Sequence, residues 1–151
     1  MAVTTEVLHV ESLAFSQGED IPRKYTCEGE NINPPLLISS LPEETKTLAV
    51  IVEDPDAPNG IFDHWVAWNI SPNKPIQENN DTGVNGLNSF GNEGYGGPCP
   101  PSGSHRYYFK IYALDAKLDL QAGSSKEELQ QAMEGHILAS GELMGRYKKE
   151  S

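Results

Sequence analysis

Basic residues, cysteine and long apolar runs are all scarce in this sequence, and each shortage excludes a class of protein. Eleven lysines and arginines stand against 22 aspartates and glutamates, so the formal net charge is −11. Nucleic acids and anionic membrane surfaces need a face rich in Lys and Arg, and neither is predicted as a partner. No segment reaches the ~18–20 apolar residues of a membrane span. Residues 1–15 also lack the basic and apolar regions of a secretory leader.

The two cysteines, Cys27 and Cys99, do not amount to a disulfide framework. With no leader in view, they fit a cytoplasmic location, which we predict. The sequence leaves open whether the two thiols meet in the fold. Cys99 lies between two prolines with no neighbour that would activate its thiol, so we expect an inert small residue rather than a nucleophile.

Short apolar segments separated by turn residues make up most of the chain. They cover residues 36–38, 47–52, 65–70, 107–114 and 137–147, with clusters of proline, glycine and asparagine between them. This pattern predicts a mainly β fold of the antiparallel sandwich or barrel type, in a single domain of residues 1–151. In the last segment, small residues recur on one face and indicate a close approach by another element, although a helix is the competing interpretation there.

One helix is clearly signalled. Ser125 followed by Glu128 has the spacing of a capping box, in which the hydroxyl and the carboxylate each accept a hydrogen bond from a free N–H of the first turn. An apolar stripe follows at helical spacing, and Gly135 is a suitable stop. The stripe consists of Leu129, Ala132 and Met133.

Two groups of polar residues could carry chemistry. In the first, Asp54 and Asp56 follow an apolar strand, a proline between them stiffens the turn, and His64 comes shortly after. In the second, a loop rich in glycine and proline leads into a strand in which His105 and Tyr107 share one face and Arg106 takes the other.

Each piece taken alone has an ordinary structural explanation. An Asp-Pro-Asp segment commonly forms a turn whose carboxylates accept nearby backbone N–H groups. A histidine beside a tryptophan is commonly half-buried and satisfied, and a strand tyrosine such as Tyr107 commonly packs in a core. We expect Arg106 to be a structural ion-pair partner.

The combination and order of these motifs resemble the phosphatidylethanolamine-binding (Raf kinase inhibitor) family. The motifs that carry the resemblance are Asp54-Pro-Asp56-x-Pro, His64-Trp, and Gly-Pro98-x-Pro-Pro-x-Gly-x-His105-Arg-Tyr107. Flanking segments at residues 31–36, 112–115 and 136–145 agree as well, so the resemblance covers nearly the whole chain. The compact length is similar to that of the bacterial and archaeal branch.

The resemblance implies two packed β-sheets with one or two peripheral helices, and a small pocket for phosphate, acetate or phosphorylethanolamine-like groups. Carried over by position, the ligand-binding residues would be Asp54, Asp56, His64, His105 and Tyr107, with a rim that includes Pro98, Cys99 and Pro100. Compact relatives often pair, so the resemblance favours a homodimer. The binding pocket that it implies, together with the lack of an evident nucleophile, leads us to expect a non-catalytic binding protein. Some relatives are reported to inhibit a kinase or protease, so regulation of a signalling enzyme or protease through an unidentified protein partner is a further expectation.

An acidic pocket must solve a charge problem to hold an anion. We expect one of two close aspartates to keep a proton and donate it, and both histidines to become cationic near neutral pH. For a zwitterionic head group, the ammonium would lie at Asp56 and the phosphate at the imidazoles.

Catalysis is the alternative to binding. An Asp and His pocket could act as a general acid and base in an esterase-like hydrolase, but no nucleophile with an adjacent base is evident. Asp54, Asp56 and His64 make only a weak metal set, and no phosphate-loop or dinucleotide motif is present. We therefore predict neither metal nor cofactor.

Overall fold

The computed structural model describes residues 6–80 and 83–149, and over that part the chain is mainly β. In chain order, the elements are β1 Glu6–Val7, β2 His9–Glu11, a 3-10 turn Arg23–Tyr25, β3 Leu37–Ser39, β4 Thr47–Asp54, β5 Phe62–Ile70, β6 Val84–Asn85, β7 Ser104–Leu114, α1 Lys126–Met133 and β8 Ile137–Lys148. Each predicted apolar segment coincides with a strand or overlaps one. A strand at residues 137–147 is confirmed and the competing helix is wrong.

Two sheets pack on each other, as predicted. The large sheet has the order β1-β8-β7-β4-β5-β6, in which β1 is parallel to β8 and the other neighbours are antiparallel. The small sheet pairs β2 with β3. Val10 of the small sheet is buried in one core with the alternate residues of β4 and β7, such as Val50 and Phe109. Because side chains alternate between the two faces of a strand, alternate side chains at the ends of β4 and β7 also point into the space between the two sheets.

The opposite face of the large sheet is covered by α1. Ser125 caps this helix and forms the predicted capping box with Glu128. The apolar stripe of the helix lies in a second core with Ile51 and Trp68. At the start of the helix, the Lys126 ammonium binds the carboxylates of Glu53 and Asp63, both at 2.8 Å, and ties α1 to β4 and β5.

The small residues of β8 allow other segments to pack closely, as predicted. A Cβ atom added at Gly141 would lie 2.4 Å from the backbone oxygen of Leu8, and one added at Gly145 would lie 2.6 Å from the Ile21 side chain. The backbone of Leu8 cannot move away from such a Cβ atom as the end of a flexible side chain could. Glycine is therefore required at position 141 for the N-terminal segment to lie along β8.

A pocket at the ends of β4, β5 and β7

A cavity of about 260 Å³ opens at one end of the large sheet. It forms there because β4 is antiparallel to β5 and β7, so the last residue of β4 lies beside the first residues of the other two strands. Four of the predicted site residues supply its titratable groups, namely Asp54, His64, His105 and Tyr107. The rest of the lining consists of Ala57, Pro58, Asn59, Gly60, Ile61, Phe62, Phe90, Cys99, Pro100 and Pro101.

His64 reaches the pocket through an irregularity in strand pairing. Val52 pairs with Trp65, whereas the next residue, Glu53, pairs with Asp63, which leaves His64 as an extra residue on β5. A bulge of this kind re-aims a side chain that strict alternation would send to the other face. Alternation alone therefore does not predict the position of His64.

Asp54 and His105 form a buried side-chain pair at the floor of the pocket. The Nδ1 atom of His105 lies 2.6 Å from Oδ2 of Asp54, and both residues are less than 8% exposed. Because a carboxylate only accepts hydrogen bonds, Nδ1 carries the proton and Nε2 is left for a ligand. The other Asp54 oxygen accepts the backbone N–H of Asp56 at 2.8 Å.

His64 is oriented by a backbone carbonyl. Its Nδ1 lies 2.8 Å from the Gly96 oxygen, an acceptor, so Nδ1 carries the proton here too. Burial lowers the pKa of His64, and the nearby Asp54 carboxylate opposes that shift. In the free protein, we therefore expect His64 to be neutral near pH 7 with Nε2 as an acceptor, rather than cationic.

The buried neutral state of His64 makes stability depend on pH. Its pKa is lower in the folded chain than the unfolded value of 6.5, so its contribution is present above pH 6.5 and is lost as the pH falls through the folded-state value. We expect the free energy of unfolding from urea titrations to decrease as the pH falls below 6.5, and His64→Gln to flatten that slope. An identical slope in both proteins would contradict the burial of a neutral imidazole.

Tyr107 places a hydroxyl without a partner in the pocket. The side chain is fully buried, and its oxygen has no hydrogen-bond partner within the described residues. Burial raises the pKa of Tyr107 and the nearby Asp54 carboxylate raises it further, although the two groups form no hydrogen bond of good geometry. The ring contacts His64 edge-on at 5.2 Å between centroids and stacks on His105 at 6.4 Å. The phenol is thus a fixed, protonated donor.

Asp56 lies outside the pocket, contrary to prediction. Its carboxylate accepts hydrogen bonds from the guanidinium of Arg106 at 2.8 and 2.9 Å and from the Arg106 backbone N–H at 2.9 Å. The hydrogen bonds from Arg106 lower the pKa of Asp56 to about 2, so it does not share a proton with Asp54. The structural role predicted for Arg106 fits this geometry. Because Asp56 is turned away, the set of Asp54, Asp56 and His64 does not assemble around a metal.

A disulfide bond holds the rim of the pocket. Cys27 and Cys99 are bonded, which answers the question that the sequence left open and gives Cys99 a covalent role in addition to its small size. Pro98 does not line the cavity, and its carbonyl accepts the Cys27 N–H at 3.1 Å. A Cβ atom at Gly97 would lie 2.3 Å from the Tyr25 oxygen, so only glycine allows this approach. The rim is therefore clamped to residues 25–31.

The disulfide bears on localisation. Disulfides are typical of oxidising compartments and are rare in the cytosol of mesophiles. The bond therefore weighs against the cytoplasmic location predicted from the sequence, which stays a prediction. Across residues 6–80 and 83–149, no helix is long and apolar enough to cross a membrane.

The apolar wall of the pocket was not predicted. Phe62 and Phe90 meet edge to face at 4.7 Å between centroids, and both rings contact the ring of His64. Ile61 stands at the mouth with 58% of its surface exposed. The one available signal is Phe90, a lone aromatic residue within a run of turn residues where nothing else requires an apolar side chain.

Comparisons with known proteins agree with the resemblance seen in the sequence. The family model described as phosphatidylethanolamine-binding protein matches residues 11–148. A UPF0098 protein of Archaeoglobus fulgidus is 53% identical over 144 residues, which are 90% of this chain and 50% of that protein. This chain thus spans half the length of that relative. A UPF0098 protein of Methanothermobacter thermautotrophicus is 47% identical over 150 residues, covering 94% of this chain and 99% of the other.

Solved structures place the fold in the same family. The crystal structure of a phosphatidylethanolamine-binding protein homologue from Chlamydia trachomatis superposes with a TM-score of 0.92 at 46% identity, covering 97% of this chain and 100% of the other.

Proposed function

Because the chain belongs to the phosphatidylethanolamine-binding protein family, we propose that it is a non-catalytic binding protein whose pocket holds a small anion such as a phosphate group. The observation that supports this proposal is that three polar side-chain atoms of the lining residues make no hydrogen bond of good geometry to the described residues. These are the Nε2 atoms of His64 and His105 and the hydroxyl of Tyr107.

The charged groups of the lining favour an anion only when an imidazole or the anion itself carries an additional proton. Among the described residues, the lining contains no lysine or arginine, and its one carboxylate, Asp54, is already paired with His105. Tyr107 donates at any pH near neutrality. The imidazole Nε2 atoms can donate only when protonated, or when the anion itself brings the shared proton. Phosphate near pH 6 is largely a monoanion that carries such protons, and it suits this pocket better than a dianion.

The experiment is isothermal titration calorimetry with inorganic phosphate at pH 6 and pH 8. We expect one site per chain, with weaker binding at pH 8, and competition from acetate for the same site. Absence of heat at millimolar phosphate at both pH values would reject the proposal.

Hydrolysis is the second candidate, and the buried Asp54–His105 pair is the observation that favours it, because such a pair holds an imidazole ready to act as a base. It ranks below binding because no serine, threonine or free cysteine lines the described pocket. Turnover of p-nitrophenyl acetate that is lost in His105→Ala would favour the hydrolase.

A protein partner, regulation of a signalling enzyme or protease, and a homodimer remain proposals from family membership. A partner that this chain captures even when phosphate saturates the pocket would place regulation on another surface.

A further inference from the structure

The pocket is divided into a polar floor and an apolar wall. The floor consists of Asp54, His64, His105 and Tyr107, and the wall is formed by side chains of the two loops that flank it. Two of the exposed large hydrophobic residues of the chain, Ile61 and Phe90, stand on that wall. Exposed hydrophobic side chains scattered singly need no explanation, but two on one side of one cavity indicate an apolar contact.

The cavity is larger than a phosphate ion. At about 30 Å³ for each water in the liquid, a volume of about 260 Å³ has room for roughly eight waters. Inorganic phosphate has five heavy atoms, fewer than that number of waters, and would leave part of the space unfilled. The remainder lies against Phe90, Ile61 and the prolines of the rim, where water has few hydrogen-bond partners.

In the part of the chain that the structure describes, the wall has no charged group that would hold a cation. Asp54 is the one carboxylate among the described lining residues, and it is bound to His105. Asp56, the group expected to receive an ammonium, is bound to Arg106 outside the cavity. An ammonium that entered this space would lose its hydration and meet ring faces and the neutral amide of Asn59, with no unpaired carboxylate in return.

We propose that the site selects monoesters of phosphate with a short apolar body, and that it prefers an alkyl chain over an ethanolamine chain of the same size. This inference rests on the proposed anion function of the pocket. The phosphate lies on the polar floor, and the alkyl body packs against Phe90, Ile61 and the rim.

The test compares three probes by calorimetry at pH 6, namely inorganic phosphate, phosphorylethanolamine and n-propyl phosphate. The last two have chains of equal length and differ only in the end group, an ammonium or a methyl. Burial of one methyl group corresponds to about a fourfold gain in affinity, and the ammonium also loses hydration. We therefore expect propyl phosphate to bind at least about fivefold more tightly than phosphorylethanolamine.

Variants of the wall locate the preference. Phe90→Ala and Ile61→Ala are expected to bring the affinity ratio of propyl phosphate to inorganic phosphate toward one. Leu87→Ala is the matched control, because Leu87 is 44% exposed, as Phe90 is 45% exposed, but lies outside the lining. Both wall side chains are substantially exposed, so these variants are expected to fold.

The outcomes separate the two proposals. Phosphate binding without a gain from the propyl group overturns the alkyl preference and leaves the anion site standing. Tighter binding of phosphorylethanolamine overturns it in favour of a cation subsite over the rings. Absence of binding by all three probes rejects the anion site and the preference with it. An equal loss in Leu87→Ala and Phe90→Ala would also overturn the assignment to the wall.

Discussion

Replacing Cys27 and Cys99 together by serine is expected to lower the free energy of unfolding by about 4 kcal/mol. The bond joins residues 72 apart, and a cross-link over a loop of that length removes much of the conformational freedom of the unfolded chain. Such a loss is a large part of the roughly 5–15 kcal/mol that stabilises an ordinary domain. Urea unfolding of the two proteins measures the difference.

Reduction gives an independent route to the same result. A dithiol reductant should lower the urea midpoint of unfolding of the wild-type chain toward that of the double serine variant. The urea midpoint of the variant should not change. We also expect phosphate affinity to weaken on reduction, since Cys99 lies on the pocket rim. Equal midpoints for the oxidised and reduced wild-type protein would show that the bond does not form or does not constrain the chain.

His105→Ala is expected to weaken phosphate binding by about tenfold to a hundredfold, the range for a hydrogen bond that involves a charged group. The matched control is His136→Ala. His136 also pairs with an aspartate, Asp115, at 2.8 Å, but outside the pocket and partly exposed to water. Calorimetry with phosphate at pH 6 should detect the first loss and no change in the control. Similar losses in both variants would mean that phosphate binds as a diffuse counterion.

Tyr107→Phe separates binding from folding in the same experiment. The hydroxyl has no partner within the described residues, so its removal leaves no donor or acceptor unsatisfied and should not lower the free energy of unfolding. The affinity for phosphate should still fall, by about fivefold to tenfold, because one donor is lost. A destabilised variant with unchanged affinity would contradict the role of this phenol.

Local pattern predicted much of the fold. The strand at Thr47–Asp54 follows from a continuous apolar run, and the capped helix at Lys126–Met133 follows from a capping box, each within a few residues. Alternation also predicted that His105 and Tyr107 share a face, and the structure places both in the pocket with Asp54.

The features that sequence did not predict depend on distant contacts. Asp56 is drawn from the pocket by Arg106, 50 residues away, and Cys27 meets Cys99 across 72 residues. His64 enters the site through a shift of strand register, which depends on how β4 and β5 pair rather than on the residues of either strand. Local spacing holds no information on such pairings.

The central claim is tested most directly by side-chain ¹⁵N NMR of the four histidines during a phosphate titration at pH 6. Two of them, His64 and His105, line the pocket, and the other two, His9 and His136, lie outside it. We expect the Nε2 signals of His64 and His105 to move together and saturate at the same phosphate concentration, while those of His9 and His136 do not move. Equal drift of all four, or movement of His9 and His136 alone, would contradict an anion site in this pocket.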